Sequence, residues 1–532
     1  MGIELKLLKK AHELNRRVHE NARDYHNRNP LAVVDTQLIL PTYQTFPFRV
    51  VHDLKDVLVV GALTQSSVLM TGKTDCGKTT LAKLVMNGLF GKQEDGWHRI
   101  DIDTDFGKDS VADTDFSIIT EGKKISEGLY TAQGFLTLPG LIADEINRTH
   151  PAIANKLLHV FDKDITLPNG TRVKLGQLYA EGKTYQFQIA AINEGANYSG
   201  TFGIDEALRR RTTIEIPMNV FRPTAFDKLL IQRDSNRQML MRNEANYFPD
   251  VLEIHKYLEQ GLPIHPTAEM FISYLAAFDF CKNSQTGDKS SVEDKSGSVR
   301  HVCNLPVNLG GQQVTGATMG CEFLRTFPNE LCPHVKGISE GISTNLKAVA
   351  AGFALLRATK FTEMLMGSID GKTASPLSYA IPDGNADKLK DSLRQYVGSN
   401  VPDSELYRRA IERYASELEI GIEDVCAAFD FVGYSKVGLA PMWVSKHFQG
   451  NRYAALGKFK SEAREKFQEG LSEPCLQDLV ALKEGKVTQE TAARIKTYCD
   501  VNNPWLWRAV APYLQEDKPA STLGKLDQIY GV

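Results

Sequence analysis

Apolar residues along this chain fall into short runs that end in polar or charged side chains, and these runs alternate with stretches of helical spacing. Val68-Leu-Met-Thr71 reads as a short buried strand. Thr80-Leu-Ala-Lys-Leu-Val-Met86, just beyond it, has the spacing of a helix. Further strands are predicted at Arg99–Asp103, Leu141–Asp144, Gln186–Asn193 and Thr213–Pro217, with helices between them. Strands that alternate with helices from about Val50 to Met218 predict an α/β domain built on a parallel sheet. Two hairpins interrupt it. One pairs Phe116–Ile119 with Ile125–Glu127; the other pairs Ile165–Leu167 with Thr171–Val173 around an Asn169-Gly170 turn.

Outside that block the pattern is helical. Residues 3–27 read as a charged amphipathic helix, broken by Asn29-Pro30 and Pro41. Helical spacing runs again from Phe221 to about Met366, around a loop-rich insertion at 283–318 that contains Gly310-Gly311. The region 368–532 is also helical, with Glu405–Leu418 and Gln489–Tyr498 among its helices. A chain of 532 residues exceeds a single core. The division expected is an N-terminal helical segment (1–49), an α/β domain (50–220), a helical region with that insertion (221–367) and a C-terminal helical domain (368–532).

Charge and cysteines narrow the picture. A net charge of −3 gives no global pull toward nucleic acid or an anionic membrane. No apolar run approaches membrane-spanning length, and the N-terminus lacks a signal-peptide core. Gly2 would suit acylation, but Lys6 stands where that motif wants Ser or Thr. The eight cysteines are scattered without a CxxC, which predicts reduced thiols in a cytoplasmic protein. His301, Cys303, Cys321, Cys332 and His334 are close in sequence, but their i, i+2 pairs do not have zinc-ligand spacing; free, buried cysteines are expected.

The chemistry is concentrated at three strand ends. Between the first strand and its helix lies Gly72-Lys73-Thr74-Asp75-Cys76-Gly77-Lys78-Thr79, a full match to G-x-x-x-x-G-K-[ST]. In that setting the glycines let backbone N–H groups, on to Thr80, turn around phosphates. Lys78 adds charge, the Thr79 hydroxyl reaches Mg²⁺, and the helix N-terminus adds its dipole. Leu141-Ile-Ala-Asp144-Glu145 ends in two carboxylates, Asp144 to hold Mg²⁺ through water and Glu145 to act as general base. Ile189-Ala-Ala-Ile-Asn193 ends in an amide suited to orienting water or sensing the γ-phosphate. Arg209-Arg210-Arg211 follows, with Arg210 or Arg211 placed to reach a neighbour's phosphate.

Together these residues resemble the AAA+ superfamily and, within it, the MoxR-like branch of the helix-2-insert clade. Gly140-Leu-Ile-Ala-Asp-Glu-Ile-Asn-Arg148 is similar to that branch's acidic motif, and the hairpin near 116–128 sits where the clade inserts one. Ala190–Thr201 resembles the strand and loop with the sensing Asn, and Asp205–Arg211 resembles the arginine-finger segment. The resemblance implies an α/β P-loop NTPase sheet with a helical lid and a C-terminal all-helical domain. It also implies ATP and Mg²⁺ as cofactors, hydrolysis in a ring, most often a hexamer, and remodelling of a protein client, in this branch often a von Willebrand A-domain partner. In the lid, Gly341-Ile-Ser-Thr-Asn-Leu-Lys347 is similar to a Gly-x-Ser-Pro-Arg helix start, but Asn345 stands in the sensor-arginine position. Either Lys347 or a residue elsewhere replaces that arginine, or the contact is missing. The competing expectation is an NTP-driven nucleic-acid motor of the same clade, with Lys123-Lys124 at a hairpin tip tracking phosphates.

Overall fold

Apolar runs without in–out alternation form strands covered on both faces, as a parallel sheet requires. In the computed structural model four such runs, β1 (Val68–Gly72), β3 (Gly140–Asp144), β4 (Phe187–Asn193) and β5 (Ile214–Pro217), are joined by a more polar strand, β2 (Trp97–Asp101). They form one sheet in the order β5–β1–β4–β3–β2, with every neighbouring pair parallel. All residues of β1, β3, β4 and β5 are buried. Register sets the carboxyl ends side by side, Gly72 next to Asn193 and Asp101 next to Asp144. Residues described are 3–23, 25, 27, 34–39, 45–101, 112–114, 130–132, 134–148, 160–166, 172–193, 209, 211–234, 245–277, 306–309, 312–315, 334–339, 341–369, 379–380, 386–469, 477–478, 481, 488 and 490–495.

Three helices build the surroundings of β1. Helix α1 (Leu5–Asn21) buries Leu7, Leu8, Ala11, Leu14 and Val18, one stripe at three- and four-residue spacing. It packs on α3 (Lys78–Phe90) at close range. Val18 Cα lies 3.2 Å from where a side chain on Gly88 would begin, and the Asn21 amide donates to Leu84 O at 2.6 Å. Between them in sequence, α2 (Leu54–Leu63) opens with a capping box. Asp53 Oδ1 accepts from Lys55 N and Asp56 N, while Asp56 Oδ2 accepts from Asp53 N at 2.8 Å. Such a cap contributes about 1 kcal/mol.

Asp56 does more than cap. Its carboxylate is fully buried and is met by Lys360 Nζ at 2.6 Å and His19 Nε2 at 2.9 Å. Burial alone would raise its pKa, but the charges of Lys360 and His19 prevail and hold it well below the usual carboxylate range. Beside it, His52 is fully buried, edge-on to Phe353 at 5.1 Å between ring centroids. Burial, then the Lys360 charge, pushes its imidazole down to about 3, so it is neutral at pH 7.

The chain forms two compact units, Met1–Pro263 with Ala348–Glu419, and Ile264–Lys347 with Ile420–Val532. The second is held by an aromatic core. Phe271 and Tyr274 of Pro266–Ala277 meet Phe467 of Arg452–Glu469 at 5.2 and 5.6 Å, and Phe429 of Ile422–Lys436 meets Phe459 at 5.8 Å. It also contains a two-stranded pairing of Val335–Ile338 with Val437–Leu439.

Several elements differ from the sequence pattern. The first helix closes at Asn21, not near 27, and β2 starts two residues earlier than expected, at Trp97. The hairpin at 165–173 forms, with Ile165 opposite Val173. The hairpin at 116–127 lies outside the described residues; flanking it, Ala112–Thr114 pairs with Tyr130–Ala132. Among the pairings not anticipated, two lie in segments expected to be irregular or helical. Val34–Ile39 pairs with Thr45–His52, and Pro306–Leu309 pairs with Gln312–Thr315 inside the stretch read as loop. In the latter, two strand-like runs on either side of Gly310-Gly311 were the available signal.

Candidate functional site

The loop from Gly72 to Thr80 joins the end of β1 to the start of α3, at the carboxyl edge of the sheet. Gly77 is the N-cap of α3 and has φ +85°, a left-handed conformation that costs glycine little. Asp75 shares the left-handed region at φ +60°. Lys73, Thr74 and Asp75 are exposed, while Cys76, Gly77, Thr79 and Thr80 are half-buried. Lys73 N donates to Asn219 Oδ1 at 3.0 Å, which ties the loop to the end of β5.

Lys78 is buried, so its ammonium needs acceptors, and it finds them in its own loop. Nζ donates to Gly72 O at 3.0 Å and Lys73 O at 2.6 Å, and lies 3.5 Å from Cys76 Sγ. Thr79 turns toward the sheet and donates from Oγ1 to Asp144 Oδ2 at 2.9 Å. A hydroxyl and a carboxylate this close, at the end of neighbouring elements, are hard oxygen donors of the kind Mg²⁺ takes. Asp144 is 4% exposed. Its Oδ1 accepts from Glu145 N at 3.1 Å, and its Oδ2 also meets Arg99 Nη2 at 2.9 Å.

Glu145 follows at φ +57°. Asn193, at the end of β4, donates from Nδ2 to Glu145 Oε1 at 3.0 Å. Asn193 is itself held by Asn147, whose amide donates to Asn193 O at 2.7 Å and whose Oδ1 accepts from Asn193 N at 3.3 Å. Thr79, Asp144, Glu145 and Asn193 are thus linked by hydrogen bonds at the carboxyl edge of the sheet, with Lys78 next to Thr79 in the loop.

The arginines are less simply placed. Arg210 lies outside the described residues. Arg211 engages Asp162 through Nε, at 3.0 and 2.9 Å to the two carboxylate oxygens, and Arg209 Nη2 lies 3.5 Å from the buried Glu215. At the start of the helix Ile342–Ile369, Asn345 is half-buried and Lys347 exposed. Of the His/Cys group, only His334 is described, and its ring stacks on Trp443 at 4.5 Å; Lys123 and Lys124 lie outside the described residues.

Two residues near the loop were not anticipated. Arg99 lies in the middle of β2, between His98 and Ile100, and nothing in the local pattern set it apart. Tyr25 lies against Gly77, with its ring and hydroxyl 3.2 Å from where a side chain on Gly77 would begin. Burial raises its phenol pKa, against the effect of Asn27.

The strand order, the loop and the acidic strand end form an α/β fold with a P-loop at the carboxyl edge of a five-stranded parallel sheet. No family model matches the chain, and no curated protein does. Among solved structures, a candidate ATPase from Cytophaga hutchinsonii is similar over 85% of this chain and 96% of its own, at 15% identity and TM-score 0.43. NtrX from Brucella abortus, solved with ADP, is similar over 60% of this chain and 65% of its own, at 15% identity and TM-score 0.23. At TM-scores below 0.5 neither defines the fold; the strand order does. Among the described residues, no helix is long and apolar enough to cross a membrane.

Proposed function

We propose that this chain is an AAA+ ATPase that binds ATP with Mg²⁺ in the Gly72–Thr80 loop. The reading extends to a MoxR-like remodelling chaperone that works as a ring through neighbouring sites. The observation that carries the nucleotide reading is the convergence of Thr79, Asp144, Glu145 and Asn193, from one helix start and two strand ends, beside Lys78.

Each residue then has a task that follows from its position. The backbone N–H groups at the start of α3 point toward the phosphates and carry the positive end of the helix dipole. Lys78 leaves the carbonyls of Gly72 and Lys73 to meet the β- and γ-phosphates, exchanging neutral acceptors for charged ones. Thr79 and Asp144 would hold Mg²⁺, which when bound supplies charge neutralisation on the phosphate oxygens. Glu145 takes the proton from the attacking water, and Asn193 fixes the carboxylate's direction from the adjacent strand. Arg211 would have to exchange Asp162 for a neighbouring subunit's phosphate to act as a finger; Arg210 is the other candidate.

Steady-state phosphate release, with and without Mg²⁺ and with and without DNA, tests this reading. Metal-dependent turnover that DNA leaves unchanged is the expected result. Stimulation by DNA would favour the nucleic-acid motor, and absence of turnover with every nucleoside triphosphate would overturn the enzyme.

A further inference from the structure

Arg99 occupies the carboxylate that the nucleotide reading gives to the metal. Its Nη2 lies 2.9 Å from Asp144 Oδ2, the same oxygen that accepts the Thr79 hydroxyl at 2.9 Å. The other oxygen, Oδ1, accepts from Glu145 N at 3.1 Å. Asp144 is almost fully buried, so its negative charge is balanced inside the protein by this guanidinium.

We propose that Arg99 is a gate on cation loading: a divalent ion reaches Thr79 and Asp144 fully only when the guanidinium leaves Asp144. Two cations on one carboxylate oxygen repel each other, and the repulsion is large where water is mostly excluded. The fold gives the side chain somewhere to go. β2 is the edge strand of the five-stranded sheet, and the Arg99 side chain keeps 26% of its surface exposed. In this scheme the protein holds the metal weakly by itself. Nucleotide phosphates, by offering the guanidinium another anion, make metal and nucleotide load together. Arg99 is a positioning residue acting through Asp144. The proposal rests on the reading of Thr79 and Asp144 as the metal's ligands.

The test is a Mn²⁺ titration of the full-length protein, followed by the electron paramagnetic resonance signal of free Mn²⁺, with and without ADP. R99Q should bind Mn²⁺ on the order of tenfold more tightly than wild type, since it removes one unit charge beside the site. R99K, which keeps the charge, should stay near wild type, and D144N in the R99Q background should abolish the gain. Thermal melts check that each variant is folded, and R99M provides a second uncharged replacement should R99Q fail to fold. Equal or weaker Mn²⁺ affinity in folded R99Q or R99M overturns the gate, as does a gain that survives D144N. ADP binding in EDTA is measured alongside. If wild type binds no ADP there, the nucleotide reading fails, while the nucleotide-free Mn²⁺ titration still decides the gate.

Discussion

Asn193 holds Glu145 across two neighbouring strands: its Nδ2 donates to Glu145 Oε1 at 3.0 Å, while the Glu145 backbone sits at φ +57°. A non-glycine residue in that region costs on the order of 1–3 kcal/mol. The contact thus sets the direction of a carboxylate whose backbone is already constrained. Asn193→Ala should leave nucleotide affinity within about twofold and lower kcat about a hundredfold, read from phosphate release at saturating ATP. An unchanged kcat would show that the amide does not position the base.

The buried imidazole of His52 makes stability fall on the acid side of neutrality. Its folded-state pKa is lowered from 6.5 to about 3, so between those values the unfolded chain takes up a proton that the folded chain refuses. Stability from this group is complete above 6.5 and is lost as pH falls, by about 1.4 kcal/mol per pH unit at most. His12 and His255 are also lowered, chiefly by burial, and add to the slope. His52→Leu should flatten the melting temperature against pH between 6 and 4 without removing the slope altogether. An identical slope in the variant would contradict this account.

Lys360→Met removes the ammonium 2.6 Å from Asp56 and leaves a carboxylate with no exposed surface facing His19, His52 and its own helix start. Breaking a buried pair on one side costs about 3–5 kcal/mol. The variant should melt well below wild type at pH 7. Lys360→Met with Asp56→Asn should recover part of the loss. No recovery in the double variant would mean that the Lys360 chain matters by packing alone.

A shared active site makes a prediction about mixtures. Arg210→Ala or Arg211→Ala should be inactive alone, as should Glu145→Gln, yet mixed assemblies should regain some turnover where a sound base meets a sound arginine. Arg211→Ala also breaks the pair with Asp162, so its thermal melt must be compared first. Absence of recovery at every mixing ratio, with mixed assemblies demonstrated by sizing, would argue for a site complete in one chain.

Much of the sheet was legible because a parallel strand buried on both faces must be almost wholly apolar, as Phe187–Asn193 and Gly140–Asp144 are. The loop was legible because Gly77 takes φ +85° and the buried Lys78 needs acceptors close at hand, which few other residue patterns serve. Arg99 was not, because its meaning depends on β2 lying beside β3, a neighbour relation that strand order in sequence does not state. Tyr25 was missed for a similar reason: α1 brings it to Gly77 only by packing on α3. The Asp56–Lys360 pair joins residues 304 positions apart, beyond any local pattern.

The most direct test compares ATP binding and hydrolysis in wild type, Lys78→Ala and Glu145→Gln, using a fluorescent ATP analogue for affinity and phosphate release for turnover. Lys78→Ala removes the buried ammonium of the loop and should weaken binding by about a hundredfold or more, as loss of a charge-assisted contact in a largely dry site predicts. Glu145→Gln should bind as wild type does and release no phosphate above background, because the amide fills the same space but takes no proton. Equal loss of binding in both variants would contradict the assignment of Glu145 as the base beside a separate phosphate cradle.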